Sequence, residues 1–186
     1  GHLGKIHIQQ WTGLPGVEIV GFYDPDDDHA AQVITEYRLK RYMSIDALIA
    51  ASDALDIVTT TTAHFELAKA CLQQSRHLFI EKPMTTTMED ARELVQLVTE
   101  ANVKCQVGHV ERYNPAILAL RGRKIEPMFI ETHRLAQFNP RGTDVAVILD
   151  LMIHDIDIIL HFVKSPIRRI AASGVSVISD TTDIAN

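Results

Sequence analysis

The feature that most constrains this chain is the alternation, through its N-terminal half, of short β-branched runs with longer stretches of helical periodicity. VEIVGFY at 17–23, LDIVTT at 55–60, HLFI at 77–80 and VKCQVG at 103–108 read as strands. Between them, 26–39, 63–74 and 88–101 carry apolar residues at helical spacing. Thr87 stands where the last of these helices needs an N-cap, and acids fill its first turn. Strands alternating with helices of this length imply βαβ units, so the predicted class is α/β. A doubly wound, Rossmann-type parallel sheet is expected, with helices on both faces.

The pattern changes after about residue 122. The segment 127–138 reads as a long strand, 145–163 as a helix and 168–179 as another long strand. A second, α+β domain with a mostly antiparallel sheet is therefore expected, with domains at 1–115 and 116–186. The chain ends soon after one of these strands, so the second sheet is expected to be incomplete. At the other end, GHLGKIHIQQW reads as a phosphate-binding turn running into a helix. A dinucleotide fold places a strand before that turn, so the first strand is expected to lie outside this sequence.

Composition narrows the partners. The 186 residues are 46% hydrophobic and 23% charged, which sets aside a disordered or fibrous chain. The formal net charge of −6, without any Lys/Arg-rich run, argues against nucleic acid. No apolar stretch approaches the roughly 18 residues of a membrane span, and the first ten residues lack the pattern of a signal peptide. Cys71 and Cys105 are far apart and sit in apolar segments, so they read as free thiols in a reducing cytoplasm.

Four constellations carry chemistry. Gly1 and Gly4, with His2 and Leu3 between them, fit the end of a G-x-G-x-x-G turn, where glycine lets the backbone approach a pyrophosphate. Asp24 follows the next strand, where an acid binds the adenosine ribose. The run Asp24-Pro25-Asp26-Asp27-Asp28 holds no arginine and would repel a 2′-phosphate, which favours NAD over NADP. The plainer alternative is that the acids only cap the next helix, as Asp26 to Asp28 are placed to do.

Glu81-Lys82-Pro83 directly follows a strand, where open α/β sheets place ligands. Pro83 keeps Lys82 out of helical geometry. Lys82 could donate hydrogen bonds, act as a base of lowered pKa, or be a solvated loop residue. Further on, Asp150, His154, Asp157 and His161 recur at helical spacing and share roughly 60° of one face. The other faces are apolar, so the helix should be buried and its polar stripe paired or used. That stripe could hold a catalytic histidine tuned by a carboxylate, a shared metal, or a satisfied polar network. GHVERYNP at 108–115 is another polar loop after a strand. Asn114 and Pro115 fit a helix cap and its first position. His109 and Arg112 remain open, with Arg112 able to hold a substrate oxygen or the nicotinamide amide.

In order and separation, GHLGKIH at 1–7, Asp24, DIVTTTTAHFELA at 56–68, FIEKP at 79–83, GHVERYNP at 108–115 and DLMIHDID at 150–157 resemble the Gfo/Idh/MocA family. The resemblance implies an NAD-dependent oxidoreductase acting on a secondary hydroxyl of a sugar, nucleotide sugar or cyclitol. It implies Lys82, Asp150 and His154 as the catalytic set, with His154 as general base, Asp150 orienting its imidazole and Lys82 holding the hydroxyl oxygen. Gly1, His2, Leu3, Gly4, Asp24, Thr60, His64, Glu81 and Lys82 would bind the cofactor. Lys82, His109, Arg112 and His154 would meet the substrate. No metal is implied. A homo-oligomer formed through the C-terminal sheet is expected. Thr60 stands where relatives carry proline. The GHVERYNP loop looks most like that of nucleotide-sugar dehydrogenases. A non-catalytic NAD-binding regulator on the same fold is the alternative.

Overall fold

The computed structural model describes residues 1–136 and 145–186. Three strands form a parallel sheet in the order β1-β2-β3: β1 (Ala54–Ile57), β2 (His77–Ile80) and β3 (Cys105–Val107). Their register aligns Ile57, Ile80 and Val107 across one face, and Asp56, Phe79 and Gln106 across the other. The two faces have different fates. Leu55, Ile57, Leu78 and Ile80 join a core with Leu48 and Ile49 of α3 (Ile45–Ala51), Ala68, Cys71 and Leu72 of α4 (Thr61–Gln73), and Leu94 of α5 (Met88–Ala101). Ile49, Ile80 and Leu94 are essentially inaccessible to solvent. Each such side chain contributes about 1.5–3 kcal/mol through its burial. On the opposite face, α1 (His2–Thr12) lays His7 and Trp11 edge-on against the Phe79 ring. Helices thus cover both faces, as a doubly wound sheet requires.

The helix ends follow local chemistry. Thr87 Oγ1 accepts the Asp90 N–H at 3.1 Å and opens α5, as the sequence predicts. Asn102, at φ 53°, closes that helix in the left-handed conformation that asparagine tolerates. Asp26 caps α2 (Asp27–Tyr37) by accepting the His29 N–H at 2.8 Å. α3 was not anticipated; Ser44 caps it through the Ala47 N–H at 3.2 Å.

Three predicted strands are corrected. Of 17–23, only Phe22 pairs, in a single parallel bridge to Arg41. Gly21, at φ 150°, comes so close to the chain at Lys40 that a Cβ there would lie 2.4 Å from the Lys40 carbonyl. The described part of 127–138, up to residue 136, forms no strand, and residues 137–138 lie outside the described residues. In 168–179 only β4 (Gly174–Val175) forms, antiparallel to β5 (Ile184–Ala185). All three segments are rich in β-branched or aromatic residues. That composition reports fitness for a half-buried pleated surface, and a strand needs a ladder partner as well. The antiparallel character of the second sheet holds, in this short form.

The predicted helix at 145–163 begins as a π-turn, Ile148–Met152, and continues as α7 (Ile153–Phe162). Before it, a 3₁₀ turn (Val110–Tyr113) and α6 (Pro115–Leu118) follow β3, with Asn114 Oδ1 accepting the Ala116 N–H and Pro115 at the first helical position.

Candidate active site

The carboxyl ends of the three parallel strands open onto adjacent loops. Glu81 N–H donates to the Ile57 carbonyl at 3.0 Å, and Gly108 N–H to the Ile80 carbonyl at 2.8 Å, so each loop leaves the sheet hydrogen-bonded to the neighbouring strand. These loops bring together Thr59, Thr60, Glu81, Lys82, Gly108 and His109. His64, buried at the start of α4, braces two of them: its ring nitrogens lie 2.9 Å from the Pro83 carbonyl and 3.2 Å from that of Thr59. Thr60 is exposed, its hydroxyl 3.3 Å from that of Thr62.

Lys82 reaches from this loop cluster to the π-turn. Its Nζ donates to the Asp150 backbone oxygen at 2.7 Å and to Asp150 Oδ1 at 3.0 Å. The sequence reading had Asp150 orient the His154 imidazole. The structure gives that carboxylate to the Lys82 ammonium, a stronger attraction than a neutral ring provides. His154 follows in the first turn of α7, and its buried Nδ1 has no hydrogen-bond partner among the described residues. Burial pushes its pKa below 6.5; the positive charges of Lys82, Arg134 and His109 push the same way, against Glu111. Arg134 itself is clamped by Asp155, at 2.7 and 3.0 Å.

Farther along the polar stripe, Asp157 is paired. The guanidinium of Arg112 grips the buried Asp157 carboxylate through Nε, at 2.7 Å, and through a second N–H. His109 Nδ1 lies 3.8 Å from the same carboxylate. Burial raises the Asp157 pKa, but the charges of Arg112, His109 and His161 outweigh it and hold the carboxyl below its usual range. Arg112 therefore ties the loop after β3 to α7, with His109 beside the same anion. His161 is exposed, with its ring edge-on to Phe162.

The N-terminus of α1 suits a phosphate. A Cβ at Gly1 or Gly4 would meet nothing within 4 Å, and no side chain caps the first turn, so its N–H groups are available to an anion. His2 and Leu3 are exposed on that turn. Asp24 lies beside it: Oδ2 is 3.1 Å from the Gly1 amino group, and Oδ1 accepts the Asp26 N–H at 3.0 Å. These residues fit a dinucleotide. The acidic run is not free of arginine in space, however. Arg41 donates to the Asp24 carbonyl at 2.8 Å and pairs with Asp27 at 2.7 Å, which neutralises part of the run.

The sequence reading missed a cluster behind the Lys82 loop. His7 and Trp11 of α1 meet Asp56 of β1, and His7 also meets Glu81. The available signal was an acid inside an otherwise apolar strand, since a buried carboxylate must find partners. Gly108 closes this cluster. A Cβ there would stand 2.7 Å from Glu81 Oε1 and 2.9 Å from its Cδ. Gly108→Ala is therefore expected to destabilise the fold by about 1–3 kcal/mol, as overpacking does. An unchanged urea-unfolding midpoint would show that the Glu81 carboxylate moves aside freely.

Comparison with known proteins gives the same architecture a family. Over 186 residues, 100% of this chain and 59% of the relative, it is 38% identical to the UDP-N-acetylglucosamine 3-dehydrogenase of Acidithiobacillus ferrooxidans. It is 27% identical to the scyllo-inositol 2-dehydrogenase (NAD(+)) of Bacillus subtilis, over 94% of this chain and 55% of that protein. The solved structure of the Acidithiobacillus ferrooxidans enzyme superposes with a TM-score of 0.91, covering 100% of this chain and 61% of that one. The chain thus spans less than two thirds of the length of these relatives. The family described as "Oxidoreductase family, NAD-binding Rossmann fold" matches residues 1–109. The chain belongs to this Gfo/Idh/MocA family of oxidoreductases.

Proposed function

We propose that the protein oxidises a secondary hydroxyl of a sugar, nucleotide sugar or cyclitol with NAD. Residues 1–115 would form the cofactor-binding domain and 116–186 would begin the substrate domain. The observation that carries this reading is the Lys82 bridge, from the loop after β2 to Asp150, one turn before His154. It sets an ammonium within electrostatic reach of a neutral-leaning imidazole at the carboxyl ends of the strands, where such sheets bind ligands.

Bound NAD would supply the hydride acceptor. The chain's own groups handle the proton and the charge. Gly1 to Gly4 and the first turn of α1 would hold the pyrophosphate, and Asp24 the adenosine ribose. Thr60, Glu81 and Lys82 would border the nicotinamide end, with His64 bracing that wall. Lys82 would donate to the hydroxyl oxygen and favour its developing negative charge. His154 would accept the hydroxyl proton at a ring nitrogen. Asp150 holds the Lys82 ammonium in place. His109 and Arg112 would line the substrate side, Arg112 mainly by fixing α7 through Asp157.

The 38% relative favours a nucleotide sugar as substrate. Assembly through the C-terminal sheet and a cytoplasmic location belong to the same proposal. Among the described residues, no helix is long and apolar enough to cross a membrane. The test is an assay of the full-length protein with NAD⁺ or NADP⁺ against UDP-sugars, inositols and free sugars, following the reduced cofactor by absorbance. Turnover with NAD⁺ on at least one secondary alcohol is expected. Binding of NAD⁺ without turnover on the whole panel would instead favour a regulator.

A further inference from the structure

The cluster behind the Lys82 loop does more than fill space. His7 sits in the second turn of α1 with both ring nitrogens facing carboxylates: Nδ1 lies 2.9 Å from Asp56 Oδ2 and Nε2 lies 3.2 Å from Glu81 Oε1. Only an imidazolium donates from both nitrogens at once. The hydrogen bonds to Asp56 and Glu81 accordingly raise its pKa to about 9, so the ring is a cation at neutral pH. Trp11 Nε1 donates to the same Asp56 oxygen at 2.5 Å, which fixes that carboxylate as well.

Glu81 carries the constraint onward. Its other oxygen, Oε2, accepts the Lys82 backbone N–H at 3.0 Å. With one oxygen on His7, the other on Lys82 and Gly108 packed against it, this buried carboxylate has no room to turn. Lys82 is then held twice, its backbone by Glu81 and its ammonium by Asp150. A continuous line of charge-assisted contacts runs from the helix whose first turn suits a phosphate to the lysine beside His154.

We infer that His7 is a positioning residue: clamped between Asp56 and Glu81, it locks α1 to the Glu81-Lys82 peptide and so sets where the Lys82 ammonium stands. A merely structural triad would affect stability without affecting the lysine. The inference rests on the dehydrogenase reading for its kinetic consequence and on geometry alone for its effect on Lys82.

The test compares wild type with His7→Ala and His7→Gln in the full-length protein. For His7→Ala, kcat is expected to fall roughly 10- to 100-fold, as misplacing a reacting group does, with KM and NAD⁺ affinity within about threefold of wild type. His7→Gln, which keeps a donor toward one carboxylate, should fall between the two. It also carries the comparison should His7→Ala fail to fold. Independently of turnover, Lys82 should be acetylated by acetic anhydride at least about fivefold faster in the variants, read by peptide mass spectrometry against the exposed Lys124, because a freed side chain is more accessible. A lower melting temperature with unchanged kcat and unchanged Lys82 acetylation would overturn the inference. If wild type turns over no substrate, the dehydrogenase reading fails by itself, and the acetylation rates alone decide the role of His7.

Discussion

Replacing Lys82 by alanine is expected to lower kcat by about 10²–10³-fold, the usual loss when one donor to a developing oxyanion is removed. The loss cannot be ascribed to unfolding. The pair of Lys82 with Asp150 is partly open to solvent, with side-chain accessibilities of 19% and 35%, and such pairs contribute at most about 1 kcal/mol. The variant should therefore melt close to wild type while losing turnover. A second consequence has a definite sign. The Lys82 charge helps to hold the His154 pKa down, so its removal lets that pKa rise. The residual activity of Lys82→Ala should need a higher pH than wild type. Steady-state kinetics across a pH series checks both points. A variant within about threefold of wild-type kcat would remove Lys82 from the reaction.

His154→Asn should cost about 10²–10⁴-fold, the range for a lost general base. The pH dependence follows from the direction of the shift. Burial, with Lys82, Arg134 and His109, lowers the folded-state pKa below 6.5, so the ring gives up its proton at a lower pH than a free histidine. Since the base acts in its neutral form, kcat/KM for alcohol oxidation should rise with pH along a limb centred below 6.5, then stay level through neutrality. His154→Asn should lose that limb. A limb centred above 7 in wild type, or one that survives the substitution, would assign the proton transfer to another group.

The legible parts of this fold were those whose cause is local. α5 could be read to the residue because Thr87 caps it and its apolar positions keep helical period to Ala101. β2 was equally clear, a short apolar run ending at Glu81. Segment 17–23 has the composition of a strand but pairs only at Phe22, because pairing depends on what lies alongside. The site divides in the same way. Lys82 and His154 stand out by their places after a strand and on a polar stripe, but those places leave their roles open, and only the family resemblance points to catalysis. That Asp150 would serve the lysine was not legible, since the two are 68 positions apart. Arg41 beside Asp24, Arg112 on Asp157 and His7 between two acids are likewise tertiary meetings with no local periodicity to announce them.

The π-turn at Ile148–Met152 bears on how such a protein could change. A wide turn accommodates one more residue than an α-helical turn over the same rise. Asp150 offers Lys82 both a backbone oxygen and a carboxylate oxygen from within that turn. Substituting Asp150 removes only one of these. Deleting a single residue from 148–152 would let the segment close as an ordinary α-helical turn and shift the backbone oxygen that Asp150 presents to Lys82. The length of this segment therefore bears on the Lys82 contact as directly as the identity of residue 150 does.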